Sequence, residues 1–141
     1  MRRAPLNTTT AELLIDFTGV GRPVFDIFKE QGIRAKGINI TAGMQVSIEP
    51  HGWNVAKQIL VSTVQAELHV GRLQIDRNLK EALLLTRELQ DFQVSITPAG
   101  NATFSARVGA HDDLVLALAI ALWRAVNRHR ETAKLVRVIG A

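Results

Sequence analysis

The amino-acid sequence predicts an α/β fold, and three observations support that prediction. Residues 12–41 have the pattern of a strand, a helix and a second strand, an order that favours parallel strand pairing. Two helical patterns, a hairpin pattern and a long final helical pattern follow along the rest of the chain. Apolar residues make up 47% of the 141 residues and charged residues 21%, which is sufficient for a packed core. We therefore expect a mixed sheet flanked by helices.

The first three elements are delimited by glycine and proline. The run ELLIDF (12–17) is short and apolar and precedes TGVG, which predicts a buried strand that leads into a tight turn. Pro23 suits the first turn of the helix that follows, and Gly32 suits its end. The run GINIT (37–41) predicts the second strand.

The second half of the chain predicts two helices, a hairpin and a long final helix. From Trp53 to Leu68 apolar residues recur three or four apart, and Gly71 provides a stop. The runs at 92–97 and 103–108 alternate apolar with polar residues, which is typical of a hairpin. The final helix is apolar all round in its first half, so deep burial is expected there. The second helix is expected to bury Leu79, Ala82, Leu83, Thr86 and Leu89.

Composition and charge restrict the classes of protein. Residues 1–11 are expected to be a flexible leader, 12–135 one domain and 136–141 a tail. The absence of cysteine excludes a disulfide scaffold and a cysteine nucleophile. No segment predicts a secretory signal or a membrane span, so we expect no membrane partner and a cytoplasmic location. Residues 124–141 carry the whole net charge of +4, which suits either a DNA-facing tail or a solvated helix end.

Three carboxylates occupy positions where chemistry is plausible. Asp16 ends an apolar strand, and ligands of open α/β sheets bind at the carboxyl ends of strands. Asp112 and Asp113 open the final helix, where the helix dipole favours ionised carboxylates. If these elements converge, the three acids suit a hard divalent cation such as Mg²⁺ or Mn²⁺.

Structural interpretations compete at each of these positions. Asp112 or Asp113 alone fits an N-cap, and Asp16 alone fits a side chain that fixes the TGVG turn. His111 alone is more typical of a structural or exposed histidine than of a catalytic one. The TGVG segment also matches part of a phosphate-binding loop. However, neither the full dinucleotide fingerprint nor a Walker A lysine follows it, so a nucleotide-binding protein of that kind has weak support.

Several segments together resemble the C-terminal nuclease domain of the large terminase subunit of tailed bacteriophages, which has an RNase H-like fold. The resemblance runs in order from about residue 12 to about residue 125. It is carried by LLIDFTGVGRPVFD (13–26), GINITAG (37–43), ELQDFQV (88–94) and, most specifically, GAHDDLVLALAIALW (109–123).

The resemblance implies a metal-dependent endonuclease that cuts concatemeric DNA during genome packaging in the bacterial host cell. In that family two Mg²⁺ or Mn²⁺ ions, about 4 Å apart, activate a water molecule and stabilise the leaving oxygen. Asp16 would then be the acid on the fourth strand of the fold, and Asp112 or Asp113 the metal ligand at the start of the final helix. His111 would lie beside the metals as a further catalytic residue. Double-stranded DNA and other terminase or portal proteins are the implied partners.

One part of the family pattern has no counterpart in this sequence. The family's first catalytic aspartate lies on an earlier strand, whereas residues 1–11 contain neither an acid nor a strand pattern. We therefore expect an N-terminally truncated domain that holds one cation weakly and is inactive or nearly so alone. The strand of Asp16 would also lack a neighbour, which predicts self-association through an exposed sheet edge. The alternative is a non-catalytic remnant that binds DNA or another packaging protein.

Overall fold

The structure, a computed structural model, describes residues 11–19, 21–96, 102–106 and 112–139. Within these ranges the chain is α/β, with a four-stranded mixed sheet, a two-stranded sheet and four helices. The predicted leader lies outside the described residues except for Ala11, as do the last two residues of the predicted tail. The chain divides into two compact units.

The first unit is built on the four-stranded sheet. Its elements are β1 (Leu13–Asp16), α1 (Gly21–Glu30), β2 (Ala35–Thr41), β3 (Val46–Glu49) and β4 (Gly52–Ala56), the last as far as Val55. The strand order is β1-β2-β4-β3, with β1 parallel to β2 and β3 antiparallel to β4. The predicted strand–helix–strand segment with parallel pairing is therefore confirmed. Phe25 of α1 is buried, as are Ile38 and Val55 of the sheet.

A hairpin formed by β3 and β4 replaces the start of a predicted helix. Trp53 and Ala56 were expected on the helix, but both lie in β4, and Trp53 pairs with Ile48 of β3. A spacing of three residues would place Trp53 and Ala56 on one helix face, whereas in a strand the two side chains lie on opposite faces, and strand pairing determines the outcome here. Gly52 permits the close approach of β4 to β2, because a side chain at that position would meet the carbonyl group of Gly37 on β2.

The second unit is mainly helical. Its elements are α2 (Lys57–His69), α3 (Ala82–Asp91), β5 (Phe92–Ile96), β6 (Ala102–Ala106) and α4 (Asp113–Ile139). The antiparallel pairing of β5 with β6 confirms the predicted hairpin, whose turn at 97–101 lies outside the described residues. Helix α4 packs against α2 and α3. The core of this unit is formed by Leu60, Val61, Val64, Ala82, Val115, Ala119, Ile120 and Trp123.

Two predicted burial patterns are wrong in part. Helix α3 begins at Ala82 rather than Leu79, and Leu83 is 76% exposed although it was expected in the core. Of the residues expected on the buried side of this helix, Ala82 is buried and Leu89 is half-buried, and Glu88 is buried although the prediction did not include it. Helix α4 buries one face rather than its whole circumference, because Ala117 and other small residues on the opposite side are exposed.

The end of α2 is fixed by a buried acid. Glu67 accepts two hydrogen bonds from the Arg72 guanidinium, at 2.7 and 2.6 Å, and its carbonyl oxygen accepts from the Arg72 backbone N–H at 3.0 Å. The hydrogen bonds to the Glu67 carboxylate raise the pKa of Arg72. This bidentate pair compensates the burial of the Glu67 charge.

No helix in the described ranges is long and apolar enough to cross a membrane.

Candidate functional site

Asp16 is the last residue of β1, at the carboxyl end of the parallel strand pair. It lies opposite Ile38 in the β1–β2 register, and the pairing extends one residue further through a 2.8 Å hydrogen bond from the Phe17 N–H to the Ile38 carbonyl. The side chain is half-buried. The sequence therefore predicted both the strand and the position of this carboxylate at its end.

The Asp16 carboxylate fixes the turn that follows β1. Its Oδ1 accepts a 2.7 Å hydrogen bond from the Thr18 N–H, which closes an Asx turn. Gly21, where α1 begins, is buried directly against the Asp16 carbonyl, so a side chain there would collide with the backbone. The geometry of Asp16 therefore agrees with the interpretation in which its side chain fixes the turn after the strand. Within the described residues, Oδ2 of Asp16 has no hydrogen-bond partner and remains available.

Asp112 and Asp113 lie at the start of α4, as predicted. Asp112 occupies the N-cap position, where its carbonyl oxygen accepts from the Leu116 N–H at 2.9 Å. Its carboxylate forms an ion pair with Lys57 of α2, with 3.1 Å between Oδ2 and Nζ. Both side chains are mostly covered, at 24% and 27% exposure. Asp113 is the first residue of the helix and is exposed.

Glu88 of α3 provides the carboxylate that binds the first N–H groups of α4. Its Oε2 accepts from the Leu114 N–H at 2.9 Å and from the Val115 N–H at 3.2 Å. Only 6% of Glu88 is exposed, and its negative charge faces the positive end of the helix dipole. The side-chain capping role expected of Asp112 or Asp113 is therefore performed by Glu88, which lies 26 residues before Leu114 in sequence.

Sequence reasoning assigned no role to Glu88 or Lys57. Glu88 is buried on α3, as is Ala82, but the two positions are six apart and a helix face repeats every three or four residues, so the spacing gives no signal for this buried acid. Lys57 is the first residue of α2, a position hidden by the prediction that the helix began at Trp53. Its Nζ lies between the Asp112 carboxylate and the Phe92 ring, 5.6 Å from the ring centroid.

The resemblance implies that Asp16, Asp112 and Asp113 bind divalent cations, which require several oxygen ligands each. Carboxylate oxygens are the ligands that Mg²⁺ and Mn²⁺ prefer, so the donors are of the correct kind. The Asp112 carboxylate is paired with the Lys57 ammonium, which competes with a cation for the same oxygen atoms. Across the described ranges, no three His, Asp or Glu side chains group as a metal site.

The remaining predicted site residue, His111, lies outside the described residues. Comparisons of this chain with protein-family models, with curated proteins and with solved structures gave no match. The resemblance to terminase nucleases therefore depends on the sequence segments that carry it.

Proposed function

We propose that this chain is an RNase H-like module of the terminase nuclease type, related to metal-dependent DNA endonucleases. The observation that carries the proposal is the position of Asp16. It ends the first strand of a parallel strand–helix–strand segment and keeps one carboxylate oxygen without a partner among the described residues. That edge of an α/β sheet is where ligands bind.

A second observation supports the same proposal. Asp112 and Asp113 precede the apolar face of α4 in the order that the resemblance requires, and we propose that they and Asp16 are the ligands of Mg²⁺ or Mn²⁺. His111 is proposed to act beside them. In this role the module would act on double-stranded DNA with other terminase or portal proteins, in the cytoplasm of a bacterial host cell.

Cleavage by the 141-residue chain alone is expected to be absent or very weak. Asp16 and the Asp112–Asp113 pair supply two of the three acid positions of the family, and a divalent cation with so few protein ligands is bound weakly. The test is nicking of supercoiled plasmid DNA in Mn²⁺. No nicking is expected, and nicking that is lost in Asp16→Asn would show that the chain holds a complete site.

The second candidate function is a non-catalytic module that binds DNA or a packaging protein. The ion pair between Lys57 and Asp112 favours it, because the lysine ammonium lies where it neutralises the carboxylate that a cation would need. The hydrogen bond between the Thr18 N–H and Asp16 favours it too, since it gives Asp16 a structural role.

Calorimetric titration with Mn²⁺ distinguishes the two candidates. If Asp16 is a metal ligand, Asp16→Asn weakens Mn²⁺ binding by about tenfold or more, while preserving an oxygen that can accept from Thr18. Asp76→Asn is the matched control, because Asp76 closes a similar turn with the Asn78 N–H at 2.9 Å. Equal Mn²⁺ affinity in both variants would leave only the non-catalytic candidate.

We also propose that the chain self-associates through β1. This strand is at one end of the sheet order, so one of its two backbone edges has no partner among the described strands. Unpaired strand edges attract a further strand, and a second copy could pair with β1 across a twofold axis. Light scattering at micromolar concentration is expected to give a mass above that of one chain. A single monomer mass would contradict this proposal.

A further inference from the structure

The first unit contains a cleft that the proposed nuclease function does not use. Its volume is about 570 Å³, and it is lined by β2, by the β3–β4 hairpin and by two further side chains, Phe17 and Arg22. Clefts of about 300–1,000 Å³ are typical of small-molecule sites. The cleft also combines the two features of such sites, an aromatic wall and a few convergent polar groups.

The aromatic wall is held in a fixed position. The Phe17 ring lies against Gly37, where any side chain would overlap it. Phe25 packs against the same ring edge to face, with 4.9 Å between the ring centroids and 80° between the planes. Because two contacts hold Phe17, its ring offers a planar ligand a surface that requires little reorganisation on binding.

Two asparagine side chains are oriented by a hydrogen-bonded network on the sheet. Glu49 accepts from Asn54 Nδ2 at 2.7 Å, and Ser47 Oγ accepts from the same nitrogen at 3.0 Å. Since a carboxylate only accepts, Glu49 fixes which end of the Asn54 amide is nitrogen. Asn54 Oδ1 therefore faces Asn39 and accepts from its Nδ2 at 3.0 Å.

The network leaves Asn39 with one donor and one acceptor to offer. Its Nδ2 carries a second N–H, and its Oδ1 has no partner among the described residues. The side chain is exposed and lines the cleft. An amide that presents a donor beside an acceptor is complementary to adenine, which offers a nitrogen acceptor beside its amino group.

Arg22 supplies a cationic group at the same cleft. Its side chain is exposed, and within the described parts of the chain it makes no hydrogen bond or ion pair. Glu49, an acid of the cleft lining, is already bonded to Asn54. A guanidinium without a carboxylate partner binds phosphate through paired N–H groups.

We propose that this cleft binds an adenine nucleotide. Asn39 pairs with the adenine edge, the Phe17 ring contacts the base, and Arg22 binds the phosphate. The same chemistry is available from a free mononucleotide and from an unpaired adenine nucleotide in a DNA strand. Nucleotide binding at this cleft requires neither a bound metal ion nor DNA cleavage.

The test is calorimetric or fluorescence titration of the full chain with AMP, adenosine and ribose 5-phosphate. We expect AMP to bind about tenfold more tightly than ribose 5-phosphate, because ribose 5-phosphate lacks the base that contacts Asn39 and Phe17. Arg22→Gln is expected to weaken AMP about tenfold and to leave adenosine unchanged. Asn39→Ala is expected to weaken both adenosine and AMP. Arg34→Gln, an exposed arginine of the same unit that does not line the cleft, is the matched control.

Single-stranded oligo(dA) and oligo(dT) distinguish the two sources of the nucleotide. Binding of oligo(dA) over oligo(dT) that Arg22→Gln and Asn39→Ala weaken, with little binding of AMP, identifies an unpaired DNA nucleotide as the ligand. The reverse result identifies a free nucleotide. Absence of saturable binding to AMP and to oligo(dA) up to about 1 mM would overturn the proposal. So would equal affinities of Arg22→Gln, Asn39→Ala and Arg34→Gln for both ligands.

Discussion

Replacement of Glu88 provides the sharpest test of how the start of α4 is held. The carboxylate accepts from the Leu114 N–H at 2.9 Å and, at a longer 3.2 Å, from the Val115 N–H. Hydrogen bonds to a charged group contribute about 1.5–3 kcal/mol when well formed, so the shorter bond is assigned about 2 kcal/mol and the longer about 1 kcal/mol. Glu88→Ala is therefore expected to lower the free energy of unfolding by about 3 kcal/mol.

Glu88→Gln separates the hydrogen bonds from the charge. Glutamine retains a carbonyl oxygen that can accept from the same N–H groups, so only the interaction with the helix dipole and the charge assistance are lost. The expected loss is about 1 kcal/mol. Gln90→Ala is the control, since Gln90 is exposed on the same helix.

Two measurements would check this prediction. Urea denaturation followed by circular dichroism gives the change in stability, and hydrogen exchange gives the local effect at the Leu114 and Val115 amides. Glu88→Ala should speed exchange at these two amides more than at Ala119 in the middle of α4. The role assigned to Glu88 is contradicted if Glu88→Ala is no more destabilising than Gln90→Ala, or if Glu88→Gln and Glu88→Ala lower the free energy of unfolding equally.

Two further predictions concern Lys57 and the glycines around α1. Lys57→Met removes the partner of Asp112 and should lower the free energy of unfolding, measured by urea denaturation, by about 1 kcal/mol or less. It should also strengthen Mn²⁺ binding in calorimetry. An unchanged Mn²⁺ affinity would show that Asp112 is not a potential ligand. Gly21→Ala should cost about 3 kcal/mol because its methyl group meets the Asp16 carbonyl. At Gly32 a methyl group would meet no atom, and only the positive φ of 71° is unfavourable for alanine, so Gly32→Ala should lower the free energy of unfolding by about 1 kcal/mol. Equal losses of stability in the two glycine variants, measured by thermal denaturation, would contradict this comparison.

The features that local sequence determines were predicted well. The strand–helix–strand segment depends on an apolar run, a glycine turn and a helix stop that lie next to one another in sequence. Its parallel pairing follows from connectivity alone, because a helix between two strands returns the chain in the same direction. The β5–β6 hairpin was also predicted, because apolar and polar residues alternate along both of its strands, a pattern that is typical of a hairpin.

The features that distant contacts determine were missed. Trp53 and Ala56 have a spacing compatible with a helix, but β4 pairs with neighbours on both sides in the sheet. At the candidate site, the sequence placed Asp16 and Asp112 on the correct elements without their partners. Lys57 lies 55 residues before Asp112, and only packing of α2 against α4 brings the two together.

The proposal that Asp16, Asp112 and Asp113 are metal ligands is tested most directly by paramagnetic broadening of amide NMR signals in the ¹⁵N-labelled chain titrated with Mn²⁺. Substoichiometric Mn²⁺ is expected to broaden signals next to Asp16 and next to Asp112 and Asp113, and Asp16→Asn is expected to reduce this broadening. Broadening spread over exposed acids such as Asp76, with no preference for residues beside Asp16, would contradict the proposal.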